Sequence, residues 1–425
     1  MAYLGRKGAS AALTSADIPN DSITSAKIPD DALDCEHYTD GSIDSAHIGD
    51  DQVTGAKIEN NPTIAGNLTV AGDLVPATPL SHRNMIINGA MNVHQRGTTA
   101  SHSALNVYAV DRWRAQHNGL DQLNYTCVKS STNAPTDKGF SNSMLYTTTT
   151  AESAVDADEY VRLRYVIEAQ DLLPLQAGSA SAKSFTISFW VRSSLTGTWA
   201  GNISASDGGK NIGFTYTISS ADTWEKKEIT LAGNTSDTPT YDNTAGYYIW
   251  LYLGAGSNHT GTSNTTWATE TDARTAYGNS NALLTTLNAT WQITGIQFEL
   301  GSNATPFEFR SYGDELQRCL RYYEKEIKLS GAGGSGHTVV GRDDGSGDGA
   351  HRGHIAWKVQ KRGMPTVAIT AYGSSIYWSG SSRTVASVSA SEVSDHNFRP
   401  TLTCSSFIAD VAYANNLEWT CDAEL

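Results

Sequence analysis

Cysteine is scarce in this chain, and its placement argues against two common kinds of site. The five cysteines among 425 residues stand far apart and are odd in number. Neither a disulfide framework nor a zinc site with paired C-x-x-C spacing is therefore expected. We predict reduced thiols, which are typical of a protein that folds in a cytosol.

Long apolar runs are also absent from the sequence. No stretch approaches the roughly eighteen apolar residues of a membrane-spanning helix, and the opening MAYLGRKGASAALTSADIP lacks the apolar region of a secretion signal. We therefore expect no membrane insertion and no export signal. If the protein acts outside the cell that makes it, we expect a route other than that cell's export machinery.

Positive charge is in short supply. The net charge is −14, and the first 60 residues alone contain eleven acidic and four basic residues, a net charge of −7. Without a basic face, neither nucleic acid nor a phosphate-rich membrane surface is an expected partner. Charged residues make up only 17 %, whereas Gly, Ser, Thr and Asn are plentiful, which favours β-structure with many turns.

A ten-residue repeat runs five times from residue 11 to residue 60, as in DSITSAKIPD and GSIDSAHIGD. Its third and eighth positions are apolar or aromatic in every copy, so these residues recur every five positions. That period fits neither a helix nor a strand, and the residues between them are turn formers. The repeated positions are Leu13, Ile18, Ile23, Ile28, Leu33, Tyr38, Ile43, Ile48, Val53 and Ile58.

One copy of this repeat cannot fold alone. Burying each apolar side chain gains about 1.5–3 kcal/mol, but ordering the backbone costs about 1–2 kcal/mol for every residue. The composition permits a disordered acidic linker. However, the apolar residues keep the same two positions through all five copies, which a linker does not require. This regularity favours a shaft in which parallel chains, usually three, share one apolar axis. Residues 61–82 are predicted to continue this shaft as a neck of short strands separated by glycine turns.

Residues 83–312 have the pattern of a globular β domain. SFTISFWVRSS places Phe185, Ile187, Phe189 and Val191 on one face. Strands without intervening amphipathic helices predict an antiparallel β-sandwich, so the fold class is mainly β. Further strand candidates are EYVRLRYVIE, WEKKEITLAG, GYYIWLYLG and WQITGIQFELG.

Several segments resemble bacteriophage tail-fibre proteins, especially those of marine phages. They are NMIINGAMNVHQRGTT, YAVDRWRA, WQITGIQFELGSNATPFEFRSYGDELQRCLRYYEK, the opening MAYLGRKG, the decamers and the ending WTCDAEL. The resemblance covers residues 1–328 well and is less specific beyond them. It implies a homotrimer in the tail fibre of a virion, made in the host cytoplasm, with a sandwich similar to carbohydrate-binding jelly rolls. It also implies that residues 1–10 bind a tail or baseplate protein, with Tyr3, Leu4, Arg6 and Lys7 as the attachment residues.

One helix is predicted, over residues 313–328. Ser311 and Asp314 can cap its start, and an a/d-like seam runs along it. Two heptads are too short for an independent coiled coil, so packing on the sandwich and a three-helix contact at the trimer axis both stay open. The seam consists of Leu316, Leu320, Tyr323 and Ile327.

Residues 331–425, after the glycine-rich SGAGGSGH, are predicted to form a separate β-rich domain. At about 95 residues this domain can hold a core of its own, and it lies furthest from the attachment end. We therefore interpret it as the receptor-binding tip of the fibre. Its strands are predicted in HIAWKVQKRG, PTVAITAYGSSIYWSG, TVASVSASEV and SSFIADVAYANNLEWTCDAEL.

Motifs for catalysis or metal binding do not stand out in the sequence. RDDGSGDG lacks the closing glutamate of a calcium loop, and His351 and His354 in HRGH would share a metal only on a helix, which the surrounding glycines disfavour. No G-x-S-x-G occurs, and no motif singles out a pair of carboxylates. We predict a binding protein with no enzymatic activity, no metal and no cofactor.

Aromatic residues among small polar ones indicate a sugar-binding site, because Trp and Tyr rings stack on the apolar faces of sugars. Neighbours on a strand point to opposite sides, so either Tyr377 or Trp378 is expected in the core. Trp199 and Trp267 are expected in loops of the sandwich, although packing between subunits would also account for them. The receptor-binding candidates are Trp357, Tyr372, Tyr377, Trp378, Trp199 and Trp267, whereas Trp113, Trp190, Trp250 and Trp291 are expected mostly in the core.

The predicted function is adsorption to a host cell. The distal β domains would bind a surface glycan or an outer-membrane receptor, and three copies per fibre would strengthen weak contacts. Two alternatives stay open. One is a structural or adaptor fibre that binds no receptor, and the other is a tailspike-like polysaccharide depolymerase.

Overall fold

The computed structural model describes residues 81–97, 99–101, 106–326, 339–343, 350–371, 375–378, 381–404, 412–414 and 417–425, together with Pro19. The chain divides into two units, Met1–Val75 and Pro76–Leu425. The predicted attachment segment and its four residues lie outside the described residues. So do the ten apolar positions of the decamer shaft and all but the last two residues of the neck.

Two antiparallel sheets form a sandwich between residues 100 and 300, as the alternating strand patterns predict. The six-stranded sheet contains, in spatial order, β1 (Ala100–Ser101), β4 (Asn124–Ser130), β5 (Ser143–Thr150), β13 (Thr290–Leu300), β7 (Phe185–Ser193) and β10 (Glu225–Leu231). The seven-stranded sheet contains β12 (Ala268–Thr269), β9 (Lys210–Ile218), β8 (Gly197–Ala205), β11 (Ala245–Ala255), β6 (Tyr160–Glu168), β3 (Trp113–Asn118) and β2 (Val107–Val110).

Alternate side chains of both sheets fill one shared core. On β7, Phe185, Ile187, Phe189 and Val191 are all fully buried, which confirms the predicted face. Because the side chains of a strand alternate between faces, the residues between them point outward. This alternation decides which side chains of each sheet can meet a ligand.

Short helical segments connect some strands of the sandwich. The helix α1 (Ser257–Thr260) follows β11, and its residue His259 is buried. Within the described ranges, no helix is long and apolar enough to cross a membrane. Three 3-10 segments are also present, at Thr136–Lys138, Ala169–Leu175 and Asp272–Arg274.

The helix α2 spans Tyr312–Leu320, so the predicted helix over 313–328 is too long. Its start is as expected, because the Ser311 hydroxyl accepts a hydrogen bond from the N–H of Asp314 at 3.2 Å. The chain then enters β14 (Tyr323–Glu326), where Tyr323 pairs with Asp422, so Tyr323 is not part of a helical seam. Ile327 lies outside the described residues.

α2 packs on the sandwich side of the molecule. Its residues Leu316 and Cys319 share a small apolar cluster with Ile87 and Val93, which come from the segment before the first sandwich strand. Of the two arrangements that the sequence left open, this contact corresponds to packing on the sandwich.

The remaining strands form two further antiparallel sheets, which agrees with a β-rich C-terminal region. The three-stranded sheet contains β14, β23 (Glu418–Asp422) and β18 (Thr366–Ala371). The second sheet folds back on itself, because β16 pairs with both β15 and β21. Its strands in order are β16 (Ala350–Arg352), β15 (Val339–Asp343), β22 (Ala412–Ala414), β19 (Ser375–Trp378), β20 (Ser381–Ser391), β21 (Asn397–Cys404) and β17 (Ile355–Ala356).

Two local predictions for this region are wrong. HIAWKVQKRG contributes only the two-residue strand β17, because the backbone after it bonds to a loop, with the Trp357 N–H donating to the His396 carbonyl at 2.9 Å. The strand β21 was not predicted, since Pro400 interrupts its pattern. It nevertheless pairs with β20 along most of its length, with Pro400 opposite Ala390.

The C-terminal strands pack directly against the sandwich. Glu424 forms ion pairs with Arg96 and Arg112, and all three side chains are nearly inaccessible. The Arg112 guanidinium also lies 3.4 Å from the ring centroid of Tyr322, just after α2. Residues from both ends of the described chain thus meet in one charged, buried junction.

Candidate binding face

The sequence-predicted aromatic candidates do not form a common surface. Trp199 lies on β8 rather than in a loop, and its fully buried ring stacks on Tyr216 at 6.3 Å. Trp357 is also a core residue, 8 % exposed and stacked on Phe398 at 5.0 Å. Both predictions of an exposed ligand-binding ring are therefore wrong.

Trp267 does lie in a loop, just before β12, but its ring is held in place. It is half-buried, packs 5.7 Å from Tyr247, and its indole N–H donates to the Ala232 carbonyl at 2.7 Å. Tyr372 lies outside the described residues. Tyr377 and Trp378 are on β19, and their side chains lie outside the description.

Two tryptophans that the sequence assigned to the core instead point outward. Trp190 and Trp250 are both half-buried, whereas Trp113 and Trp291 are fully buried as expected. The physical reason is the alternation of side chains along a strand. Trp250 lies between Ile249 and Leu251 on β11, which both face the core, so its own side chain faces outward. In GYYIWLYLG almost every residue is apolar or aromatic, so the pattern does not reveal which ones face the core.

The outward side chains of two neighbouring inner strands of the seven-stranded sheet, β6 and β11, form a cluster. On β6 they include Tyr160, Arg162 and Arg164, and on β11 they include Tyr248 and Trp250. The antiparallel register places Arg164 directly opposite Trp250. All five side chains are partly exposed, and we call this set the aromatic–arginine face.

Cation–π contacts order this face. The Arg162 guanidinium lies 4.2 Å from the ring centroid of Trp250 and 4.5 Å from that of Tyr160. Arg164 lies 4.7 Å from Tyr248, and the rings of Tyr248 and Trp250 are nearly parallel, 18° apart, at 6.0 Å. Such contacts contribute about 0.5–2 kcal/mol each. They hold the aromatic rings in place before any ligand arrives.

Hydrogen bonds from Arg162 tie the face to its neighbours. Its Nη1 donates to the Tyr252 hydroxyl at 2.7 Å and its Nε to the Gln116 side-chain oxygen at 3.3 Å. Burial raises the pKa of Tyr252, whereas the positive charge of Arg162 lowers it. Arg162 is therefore fixed on both sides of its planar group, which gives the face a rigid centre.

A row of polar side chains lies next to the aromatic row. Asn202 on β8 is the cross-strand neighbour of Trp250, and Ser204, the partner of Tyr248, also pairs with Asn211 on β9. Ser204 donates a hydrogen bond to Glu270. Burial raises the pKa of Glu270, while the Ser204 hydroxyl and Arg162 lower it.

Several polar atoms of these two rows have no hydrogen-bond partner among the described residues. They include both amide atoms of Asn202, which is fully buried, the Nδ2 of Asn211 and the indole nitrogen of Trp250. An unpaired buried polar group costs about 1–3 kcal/mol. Buried polar groups are normally paired, so these unpaired atoms are unusual, but their burial keeps them away from a ligand at the surface.

A cleft of about 630 Å³ beside α2 is a weaker candidate. It is lined by Phe309, Arg310, Arg318 and Arg321, among others. Two of these arginines are already engaged, since Arg321 pairs with the buried Glu168 at 2.8 Å and Arg310 donates to the Ile86 carbonyl at 2.9 Å. Arg310 and Arg321 therefore hold α2 and the residues beside it against the sandwich.

Comparison with known proteins gives only distant likenesses. No protein-family model matches the chain, and no curated protein matches it. A solved domain of tailspike protein 4 from bacteriophage CBA120 is 13 % identical, with a TM-score of 0.29, and the match covers 51 % of this chain but only 21 % of that one. The chain thus matches about a fifth of the length of that tailspike domain.

Two sugar-binding domains show likenesses of the same order. A family 11 carbohydrate-binding module from Clostridium thermocellum is 13 % identical, covering 49 % of this chain and 98 % of that one, with a TM-score of 0.26. A xylan-binding domain from Paenibacillus barcinonensis is 10 % identical, covering 52 % and 96 %, with a TM-score of 0.25. Likenesses this remote do not indicate the function of this chain.

Proposed function

We propose that this chain binds a polysaccharide through the aromatic–arginine face of its sandwich. The observation that carries the proposal is the pair of half-exposed, nearly parallel Tyr248 and Trp250 rings with the partly exposed Arg162 and Arg164 guanidinium groups beside them. Aromatic planes stack on the apolar faces of sugar rings, and guanidinium groups donate hydrogen bonds to sugar hydroxyls. Both elements of sugar recognition are present on one sheet.

The pre-set geometry of the face favours binding. Arg162 and Arg164 hold the rings from one side, so a ligand meets side chains that have already lost most of their rotamer freedom. Side chains that are already ordered in the free protein lose little entropy on binding, so the complex is not weakened by that loss. The partly exposed guanidinium groups of Arg162 and Arg164 would also pair with carboxylates of acidic sugars.

We further propose that the chain serves as a phage tail fibre that attaches the virion to its host. The support is the sequence resemblance, together with the decamer repeat that suits a trimeric shaft. The N-terminal residues would bind the tail or baseplate, and the globular part would contact a glycan or outer-membrane receptor. Three binding faces per fibre would raise the effective concentration at the host surface and turn weak contacts into firm attachment.

The C-terminal region remains a second candidate for receptor contact, through Tyr372, Tyr377 and Trp378. A structural fibre without a receptor and a polysaccharide depolymerase are the competing functions. A depolymerase would shorten the polysaccharide, and an adaptor would bind none, so analysis of bound and released glycan separates all three.

The test is binding of the full-length protein to a panel of neutral and acidic bacterial surface polysaccharides, measured on a glycan array and then by calorimetry. Trp250→Ala should weaken binding by at least about tenfold, or about 1.4 kcal/mol. Trp190→Ala is the matched control, because Trp190 is also half-buried but lies on the outer face of the other sheet. Equal affinity of the two variants would refute the proposed face.

A further inference from the structure

Three carboxylates converge at one end of the sandwich, in the connections between its strands. Asp121 lies between β3 and β4, Glu152 follows β5, and Glu159 directly precedes β6. One oxygen from each lies within 4.8 Å of the others. Glu152 and Glu159 are 3 % and 2 % exposed, whereas Asp121 is open to solvent.

Backbone groups fix the orientation of both buried carboxylates. Glu152 Oε1 accepts hydrogen bonds from the N–H groups of Leu123 at 2.6 Å and Gln122 at 3.3 Å. Glu159 Oε2 accepts one from the N–H of Asp156 at 2.7 Å. Each glutamate thus uses one oxygen to anchor itself to its loop.

The second carboxylate oxygen of each glutamate has no hydrogen-bond donor near it among the residues that the structure describes. Glu152 Oε2 and Glu159 Oε1 are buried and have no hydrogen-bond partner among the described residues. Neither glutamate forms an ion pair with any basic side chain of the described residues. Two buried carboxylates without a counter-charge are costly, since charges leave water only at the expense of several kcal/mol unless they are compensated.

We infer that Asp121, Glu152 and Glu159 bind a divalent metal ion, and that Ca²⁺ is the ion that fits them. All three ligands are oxygens, and calcium accepts several carboxylates together with backbone carbonyls and water in flexible geometry. Mg²⁺ normally takes only one or two carboxylates and keeps most of its water. Zn²⁺ favours nitrogen and sulfur ligands, and the cluster contains no histidine or cysteine.

The ion would cross-link two chain segments. Besides the loop between β3 and β4, it would hold the connection from β5 to β6, which contains both glutamates. The N–H of Glu152 also donates to the Leu284 carbonyl at 2.9 Å, so the site reaches the segment before β13. Glu159 is followed at once by Tyr160 of the aromatic–arginine face. The inference does not depend on sugar binding.

The test is calorimetric titration of the full-length protein, after removal of metal with EDTA, first with CaCl₂ and then with MgCl₂. We expect one Ca²⁺ per chain, at least tenfold weaker binding of Mg²⁺ and a higher unfolding temperature with Ca²⁺ present. Asp121→Asn should weaken Ca²⁺ binding at least tenfold. Because Asp121 is exposed, this variant should fold normally even if Glu152→Gln or Glu159→Gln does not.

Glu299→Gln is the matched control. Glu299 is 2 % exposed and likewise accepts a backbone hydrogen bond, from Thr305 at 2.8 Å, but it lies outside the cluster. The calcium affinity of the Glu299→Gln variant should equal that of the wild type. Absence of Ca²⁺ binding at millimolar concentration would overturn the inference. So would a bound Ca²⁺ whose affinity does not change in Asp121→Asn.

Discussion

A buried ion pair holds the C-terminal region against the end of α2. Lys361 and Glu324 have side-chain exposures of 0 % and 2 %, and their Nζ and Oε2 atoms are 2.6 Å apart. The same Nζ donates to the carbonyl of Leu320, the last residue of α2, at 2.5 Å. Glu324 lies on β14, so the pair joins a helix end, a strand and the segment after β17.

Lys361→Met should lower the free energy of unfolding by about 3–5 kcal/mol. Methionine retains most of the apolar stem but removes the charge. Glu324 would then be a buried carboxylate without its main partner, and breaking such a pair costs about that amount. The Leu320 carbonyl would lose its partner as well.

Lys358→Met is the matched control. Lys358 approaches the same carboxylate, with its Nζ 3.9 Å from Glu324 Oε1, but its side chain is 59 % exposed. Exposed ion pairs contribute only about 0–1 kcal/mol. The two lysines share one acidic partner, but only Lys361 is buried and hydrogen-bonded to it, whereas Lys358 also pairs with Glu326 at 3.3 Å. The difference between the variants therefore measures the buried, hydrogen-bonded pair against an exposed one.

Urea unfolding followed by tryptophan fluorescence is the assay. Trp357 is a local reporter, since its ring centroid lies 5.5 Å from Lys361 Nζ. A loss below about 1 kcal/mol for Lys361→Met, or the same loss for Lys358→Met, would refute the reasoning. The double variant Lys361→Met with Glu324→Met should recover much of the loss, because it removes the unpaired charge. No recovery would mean that packing, rather than charge, causes the effect.

Two further predictions concern the core and the shaft. Trp199→Ala should cost about 3–5 kcal/mol of unfolding free energy in the same assay, because its indole is fully buried; a loss below about 1 kcal/mol would contradict its core position. Light scattering should give a trimer for the full chain, and replacing Ile23 and Ile28 with Asp should reduce that mass while leaving the far-UV circular dichroism of the sandwich unchanged. A monomeric mass for the full chain would refute the prediction of a shaft with a shared apolar axis.

Much of the fold follows from local pattern. Strict alternation on β7 identified both the strand and its buried face, and the Ser311 cap marked the start of α2 within one residue. These features depend on neighbouring residues alone, so a single sequence is enough to read them.

The candidate site was less accessible from the sequence. LTGTWAGN around Trp199 has the polar, glycine-rich look of a loop, but pairing with β9 and β11 makes it a central strand. Trp250 was assigned to the core because its neighbours are apolar on both sides. The end of α2 was misplaced because Tyr323 bonds to Asp422, a partner about a hundred residues away.

The sequence by itself determined a mainly β chain with a repetitive, acidic N-terminal segment and a sandwich of alternating strands, since hydrophobic period and turn residues are local properties. Only the tertiary structure decided which aromatic rings meet solvent, which arginines lie over them, and that Asp121, Glu152 and Glu159 converge. Those outcomes depend on strand order and register, and these are set by the pairing of segments far apart in the chain.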